Sequence, residues 1–353
     1  FDGQEFVFAE SRYEMITAIK FLWRYGIDLL ALERDFIKPL LSHFKGVYKL
    51  QSDKKTFENV IDFLAILHRS YLPMLTTSIR DILLSKGYSD VFLNEFLYLA
   101  TNINYNQNTN IHGFVGAVAL AGAQEELWSV EGGNKKIPQA LLAHSDAKLI
   151  KKRVHSVVLL PNSKYALEVE EHTLYYDYVI IACPIMKNSK TNIEFVGFPH
   201  PIDIPINYQR TVATLVHGDV NYTYFNSASA HDLPEQIFSV NSDLFFNCIC
   251  AVHPVTPDVK YKRNVFKIFS KNRLTDDQLD LLFLRRNSVI VTDWLAYPQY
   301  DTAKKDVTFI LHERLFYINA IEWAASAMEM SALSGINAAL HVWESYNQTG
   351  MFH

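Results

Sequence analysis

Leu315-Phe316-Tyr317-Ile318-Asn319-Ala320-Ile321-Glu322-Trp323-Ala324-Ala325-Ser326-Ala327-Met328-Glu329 is the stretch on which the reading of this chain turns. Its first four residues are aliphatic and aromatic, the composition of a strand. A turn follows, and then small residues read as a helix that runs on through Ala338 and Ala339. Small side chains let a helix approach a neighbouring layer closely, and its N-terminus favours partial negative charge. A second piece, Tyr178-Val179-Ile180-Ile181-Ala182, is a continuous apolar run, as expected of a strand covered on both faces, and Pro184 ends it.

Upstream, the first hundred residues are mostly helical by periodicity. Ser11 with Glu14 three later predicts a capping box, followed by Ile16, Ile19, Leu22 and Trp23 at helical spacing. A second helix is predicted from Ile27 to Pro39, and others around Val60–Leu67, Ile79–Leu83 and Phe92–Leu99. Glu5-Phe6-Val7-Phe8 reads as strand text. Past Gly113 comes a small-residue apolar stretch, 116–123, and then Trp128-Ser129-Val130-Glu131-Gly132-Gly133-Asn134. The paired glycines predict a turn with positive φ or a close approach of backbone to a ligand. A short helix over 137–142 leads into strands at 154–160 and 165–169. Further strands are predicted at 211–218, 244–252 and 307–311, with a helix around 275–284.

Composition bounds the function classes. At 353 residues the chain is long enough for two domains, and a formal charge of -5 suggests no nucleic-acid footprint. No run approaches a membrane span, and the first residues lack a signal-peptide pattern. The sequence opens on Phe1 rather than Met, which predicts that a segment precedes it. Three cysteines make no disulfide framework, and Cys248 and Cys250 fit no zinc spacing; Cys183, at a strand end, is expected to be buried and inert. The thirteen histidines show no metal-binding spacing, so no metal is expected. Asn221-Tyr222-Thr223 and Asn347-Gln348-Thr349 are glycosylation sequons, should the protein enter the secretory route.

Seven pieces of the chain, taken in order, carry a resemblance. They are Trp-Arg-Tyr-Gly at 23–26, Phe-Leu-Asn-Glu at 92–95, Gly-Phe-Val-Gly-Ala-Val at 113–118 and Trp-Ser-Val-Glu-Gly-Gly-Asn-Lys at 128–135. Asn-Ser-Asp-Leu-Phe at 241–245, Trp-Leu-Ala-Tyr-Pro at 294–298 and the run from Tyr317 to Ala332 complete the set. Together they resemble the prenylcysteine oxidases, also called prenylcysteine lyases, a branch similar to the flavin amine oxidase group. The resemblance implies an α+β, α/β architecture: a two-domain FAD-dependent oxidoreductase of the flavin amine oxidase-like type. Its substrate domain would be helical and mixed-sheet, beside a Rossmann-like FAD domain assembled from separated segments. The implied division is 1–118 mainly helical substrate domain, 119–198 middle of the FAD domain, 199–303 strand-rich substrate domain, 304–345 C-terminal strand and helix of the FAD domain, and 346–353 tail.

The implied cofactor is FAD. Gly132 and Gly133 would lie near the flavin, the helix starting around Ala327 and Met328 would aim its amides at the pyrimidine edge, and Glu322 would support the cofactor. Ala147 matches the adenine-contact position loosely. Phe114, Trp128, Trp294 and Tyr297 are candidates for an apolar substrate channel. Two departures stand out. None of the 13 glycines has the Gly-x-Gly spacing of the family's dinucleotide turn, so the FAD domain reads as incomplete and these residues alone are expected to bind FAD poorly. Ala320 replaces a usual Gly, which would strain the backbone if its φ were positive.

The implied reaction takes a hydride equivalent from the prenyl carbon bonded to sulfur; water then attacks, releasing prenyl aldehyde and free cysteine, while molecular oxygen becomes hydrogen peroxide. The substrate would be farnesyl- or geranylgeranyl-cysteine, the address lysosomal or secretory, with peripheral lipid association and no transmembrane segment. The rival expectation is a catalytically inactive relative or fragment that binds prenyl groups or lipid.

Overall fold

The helix Glu14–Tyr25 forms where periodicity predicts it, but it has two apolar faces instead of one. Phe21 and Tyr25 pack against Phe8, Phe92 and Phe96. Met15, Ile19, Leu22 and Trp23 face solvent, Trp23 at 87% exposure. Glu95 pins the helix: it accepts hydrogen bonds from Arg24 Nε at 2.7 Å and Tyr25 OH at 2.9 Å. The predicted capping box does not form, because Tyr13 is the cap and the Ser11 N–H donates to Thr17 Oγ1 at 2.8 Å. Nor does Pro39 stop the next helix. The backbone passes from Asp28–Ala31 through a wide π-turn, Leu32–Ile37, into Lys38–Phe44. That widening puts Pro39 at the start of a fresh helical segment, where a missing N–H removes no bond.

The computed structural model describes residues 1–122, 129–186, 193–256 and 259–348. Within it, the helix Gly113–Gly122 is buried along most of its length. A Cβ on Gly116 would stand 2.4 Å from Ile79 Cβ, so only glycine lets this helix reach the helix Ile79–Ser85. The boundary expected at residue 118 therefore falls inside one helix.

Three sheets are formed among the described residues. The first orders β3 (His172–Tyr176), β2 (Tyr165–Val169), β1 (Val154–Leu159) and β5 (Glu194–Val196). A second sheet joins β10 (Phe283–Pro298), β6 (Tyr208–Val220), β9 (Val265–Ser270), β8 (Cys248–Ala251) and β7 (Gln236–Phe238), all antiparallel. In the third, β12 (Leu315–Tyr317) lies between β11 (Ile310–His312) and β4 (Val179–Ile181), parallel to β4.

One large core ties the helical half to β1, β2, β4, β12 and the segment 320–333. A second, smaller core fills one face of the five-stranded sheet, with Val216, Ile249, Phe266 and Ile268 from the strands and Leu279 and Leu282 from the helix Asp276–Leu282. Thr275 and Gln278 close a reciprocal capping box at that helix.

Several expectations change. Residues 5–8 form no strand. The strand predicted over 307–311 shortens to β11, because Val307 and Phe309 instead pair with the chain near Glu58 and Val60. In β4, Val179 and Ile181 are buried but Ile180 is 44% exposed, since that face opens onto a cleft of about 460 Å³ lined by Val157, Leu167 and Ile193. Cys183, on the same cleft, is exposed rather than buried. Ala320 sits in a 3₁₀ turn without positive φ, fully buried, and its methyl group is accommodated.

Candidate functional site

In an open α/β sheet, ligands bind outside the carboxyl ends of the parallel strands. Here β4 and β12 run side by side in register, Tyr317 opposite Ile181, so both chains leave the sheet at one place. A polar cluster gathers there. Glu322 is mostly buried, and its Oε2 accepts a hydrogen bond from Tyr208 OH at 2.7 Å. Burial raises the pKa of Glu322, and hydrogen bonds from Tyr208 and the Asn319 amide draw it partly back. Burial likewise raises Tyr317, to about 12, so this phenol stays protonated; its oxygen accepts from the Ile185 N–H at 3.3 Å. Asn319 Oδ1 is buried without a hydrogen-bond partner.

The segment carrying Glu322 is held from behind by neutral groups. Tyr300 OH donates to the Glu322 carbonyl at 3.0 Å and accepts from the Ser326 N–H at 2.9 Å. His112 Nε2 bonds the Trp323 carbonyl at 2.9 Å. Burial lowers the His112 pKa to about 4, so the ring is neutral and Nε2 carries the proton it donates. Ser334 Oγ donates to the Ile318 carbonyl at 2.7 Å, tying the 3₁₀ turn Ile318–Trp323 to the final helix Met328–Gln348. These bonds fix where the helix begins. Ala327 is half-buried there and Met328 exposed.

Gly132 and Gly133 both take positive φ, 81° and 99°, as the paired glycines predict. Their turn is built on Gly132 N–H to the Val255 carbonyl at 2.7 Å and Gly133 N–H to the Val130 carbonyl at 2.8 Å. A side chain on Gly132 would collide with Lys136, whose Nζ is 2.5 Å from the Cβ position. The turn therefore borders the loop after β8, whereas Glu322 lies in the 3₁₀ turn that follows β12, and Ala327 and Met328 come after it at the start of the final helix. Ala147 lies exposed between the helix Lys136–His144 and β1.

The channel candidates separate. Phe114 is fully buried in the helical core, edge-on to Tyr71 at 5.1 Å. Tyr297 packs edge-on to Tyr105 at 5.4 Å, itself 5.2 Å from Tyr300. Trp294 is partly exposed on β10, and Trp128 lies outside the described residues. Sequence reasoning missed Tyr208, Tyr300, Asn319 and His112. Asn319 stood three residues from Glu322, a usable signal, whereas nothing local marks Tyr208 or His112.

A carboxylate and an unpartnered amide carbonyl, buried at the ends of two parallel strands, want hydroxyl donors. The hydroxyl-bearing chain of a flavin supplies such donors, so Glu322 and Asn319 fit it. Among the described residues, no group of three or more His, Cys, Asp or Glu is placed to hold a metal ion, and no helix is long and apolar enough to cross a membrane.

The family model described as prenylcysteine lyase matches residues 8–351. Prenylcysteine oxidase 1 of Mus musculus is 36% identical over 368 residues, covering 98% of this chain and 72% of the relative. Prenylcysteine oxidase 1 of Homo sapiens is 36% identical over 372 residues with the same coverage. Prenylcysteine oxidase 1-like of Homo sapiens is 33% identical, covering 99% of this chain and 74% of the relative. Among solved structures, a fatty acid isomerase from P. acnes superposes with a TM-score of 0.52 at 10% identity, over 93% of this chain and 75% of the isomerase. A putrescine oxidase with redesigned cofactor binding gives 0.51 at 10% identity, over 88% and 76%. Those two likenesses concern architecture alone, and they agree with the α+β flavin oxidoreductase fold.

The raised pKa of Glu322 fixes the sign of a pH effect. The folded chain holds that proton more tightly than the unfolded one, so this contribution to stability is full below the unfolded value near 4.5 and is lost as pH rises through the folded value. Glu322→Gln is therefore more stable than the parent at neutral pH, and the advantage shrinks toward acid. Urea denaturation of both proteins from about pH 4 to about pH 8 checks it. An advantage that grows toward acid would contradict the assignment.

Proposed function

The chain belongs to the prenylcysteine lyase family, and on that premise we propose that it is an FAD-dependent thioether oxidase. It would cleave farnesyl- or geranylgeranyl-cysteine, with water and molecular oxygen, to free cysteine, prenyl aldehyde and hydrogen peroxide. The observation that carries the reading is 36% identity to prenylcysteine oxidase 1 across 98% of the chain. It is an oxidoreductase on the same ground.

A bound flavin supplies the two-electron acceptor for the hydride leaving the prenyl carbon. The chain's own residues bind and orient. Glu322 and Asn319 Oδ1 would accept hydrogen bonds from the hydroxyl-bearing chain, while Tyr208 keeps the carboxylate aimed. Tyr300 and His112 hold the backbone of 322–326, so the amides that open the final helix face a fixed place, where negative charge is stabilised. Tyr317 and Tyr208, kept protonated by burial, remain hydrogen-bond donors throughout.

Peripheral lipid association belongs to the same proposal. Its support is the charge-free face of Met15, Ile19, Leu22 and Trp23, which continues along Ile27 and Leu30. A lysosomal or secretory address is supported by the sequons. Asn221 is partly exposed, its Oδ1 accepting from Thr223 Oγ1 at 2.6 Å, and Asn347 is exposed on the final helix; its sequon ends at Thr349, outside the described residues.

Three measurements follow. An absorbance scan of the purified protein with FAD, repeated anaerobically with farnesylcysteine, tests the oxidase reading: a two-peaked flavin spectrum that bleaches is required, at less than one flavin per chain for these residues alone, which carry no Gly-x-Gly turn. Glu322→Ala is expected to retain at most roughly a tenth of the parent's flavin, the loss of ~1.4 kcal/mol in binding. A colourless parent that ignores added FAD and yet binds farnesylcysteine would favour the non-enzymatic rival. In vesicle flotation, Ile19→Asp with Trp23→Asp should abolish binding, and unchanged flotation of the double variant would remove the lipid reading. Expression through the secretory route should give a glycosidase-sensitive shift that Asn221→Gln shortens; no shift would count against that address.

A further inference from the structure

Cys248 and Cys250 are two apart on β8, and strand alternation places both thiols on the face opposite Ile249 and Ala251, which enter the second core. Cys248 is buried and Cys250 half-buried. The thiols lie within hydrogen-bonding reach of each other. On the adjoining β9, Lys267 is the register partner of Cys250 and Phe269 that of Cys248. The Lys267 ammonium sits over the Phe269 ring at 4.8 Å, which keeps the cation on the same face as the thiols. This pair is separate from the cluster at the ends of β4 and β12, and it does not depend on the oxidase reading.

A disulfide suits the pair poorly. Residues i and i+2 of a strand have Cα atoms about 6.7 Å apart with parallel Cβ directions, the outer limit of what a disulfide spans. A metal ion between the sulfurs removes that constraint. With no group of three or more His, Cys, Asp or Glu placed for a metal among the described residues, the four ligands of a structural zinc site are not present. Two sulfurs alone suit a soft cation that accepts two ligands.

We propose that Cys248 and Cys250 form a two-coordinate site for a soft monovalent cation of the copper(I) class. Both S–H bonds break, two sulfur–metal bonds form, the two protons pass to solvent, and no electron is transferred. The bis-thiolate complex carries one negative charge, and the Lys267 ammonium offsets it. Two protons compete with the metal, so binding weakens as pH falls.

The test is an anaerobic titration of the whole chain with copper(I) against a chromophoric chelator, followed by X-ray absorption of the loaded protein. The parent and Cys183→Ser are expected to hold one copper per chain, with two sulfur neighbours. Cys250→Ser and Cys248→Ser should lose it, and Lys267→Gln should bind about tenfold more weakly. Because Cys248 is in the interior, the half-buried Cys250→Ser is the deciding variant, with circular dichroism confirming its fold. The proposal is overturned if the parent fails to withdraw copper from the chelator, or if well-folded Cys250→Ser retains it. It is equally overturned if the absorption spectrum shows nitrogen or oxygen ligands, or if zinc displaces the copper.

Discussion

The parallel pairing of β4 with β12 is the contact on which the rest of the site depends. Leu315, Phe316 and Tyr317 lie opposite Val179, Ile180 and Ile181, joining two segments far apart in the chain. Each strand is short, and neither would persist alone; buried Val179, Ile181, Leu315 and Tyr317 hold the pair within the large core. Because the strands are parallel, their carboxyl ends coincide, and the turns after them meet. That coincidence brings Glu322 and Asn319 beside Tyr317 and the Cys183–Ile185 turn. Tyr208, from the start of β6, reaches the same point and links the five-stranded sheet to it.

At that point the hydrogen bonds are made by neutral groups, while the Lys305 ammonium lies over the Trp323 ring at 4.0 Å. The groups that hold Glu322 and its 3₁₀ turn are neutral donors and acceptors: two tyrosines, an amide, a serine and a histidine kept uncharged by burial. A fixed charge hydrogen-bonded there would add its own field at Glu322. Neutral hydrogen bonds give orientation without that field. At Glu322 burial favours the protonated form, and two hydrogen-bond donors favour the charged form.

Sequence reading succeeded where structure is set by neighbours in the chain. The helix after Thr275 has its capping box, the glycine pair takes its positive φ, and the final helix begins at Met328. It failed where a distant partner intervened. Ser11 had the right spacing for a cap, but Thr17 took its N–H; Pro39 read as a terminator, but a π-turn moved it to a helix start. Phe114 had the aromatic character of a channel wall and is packed against Tyr71. Ile180 read as covered and faces a cleft.

The sequence by itself determined the family, the succession of helices and strands, and the acidic residue at 322, because these depend on residue identity and short-range period. Only the tertiary structure decided what surrounds that residue. The Tyr208–Glu322 bond, the His112–Trp323 bond and the unpartnered Asn319 oxygen arise from how separate segments register against each other. A hydrogen bond forms or fails over a few tenths of an ångström. No periodicity in a single stretch of chain carries that distance, which is set by the packing of both cores together.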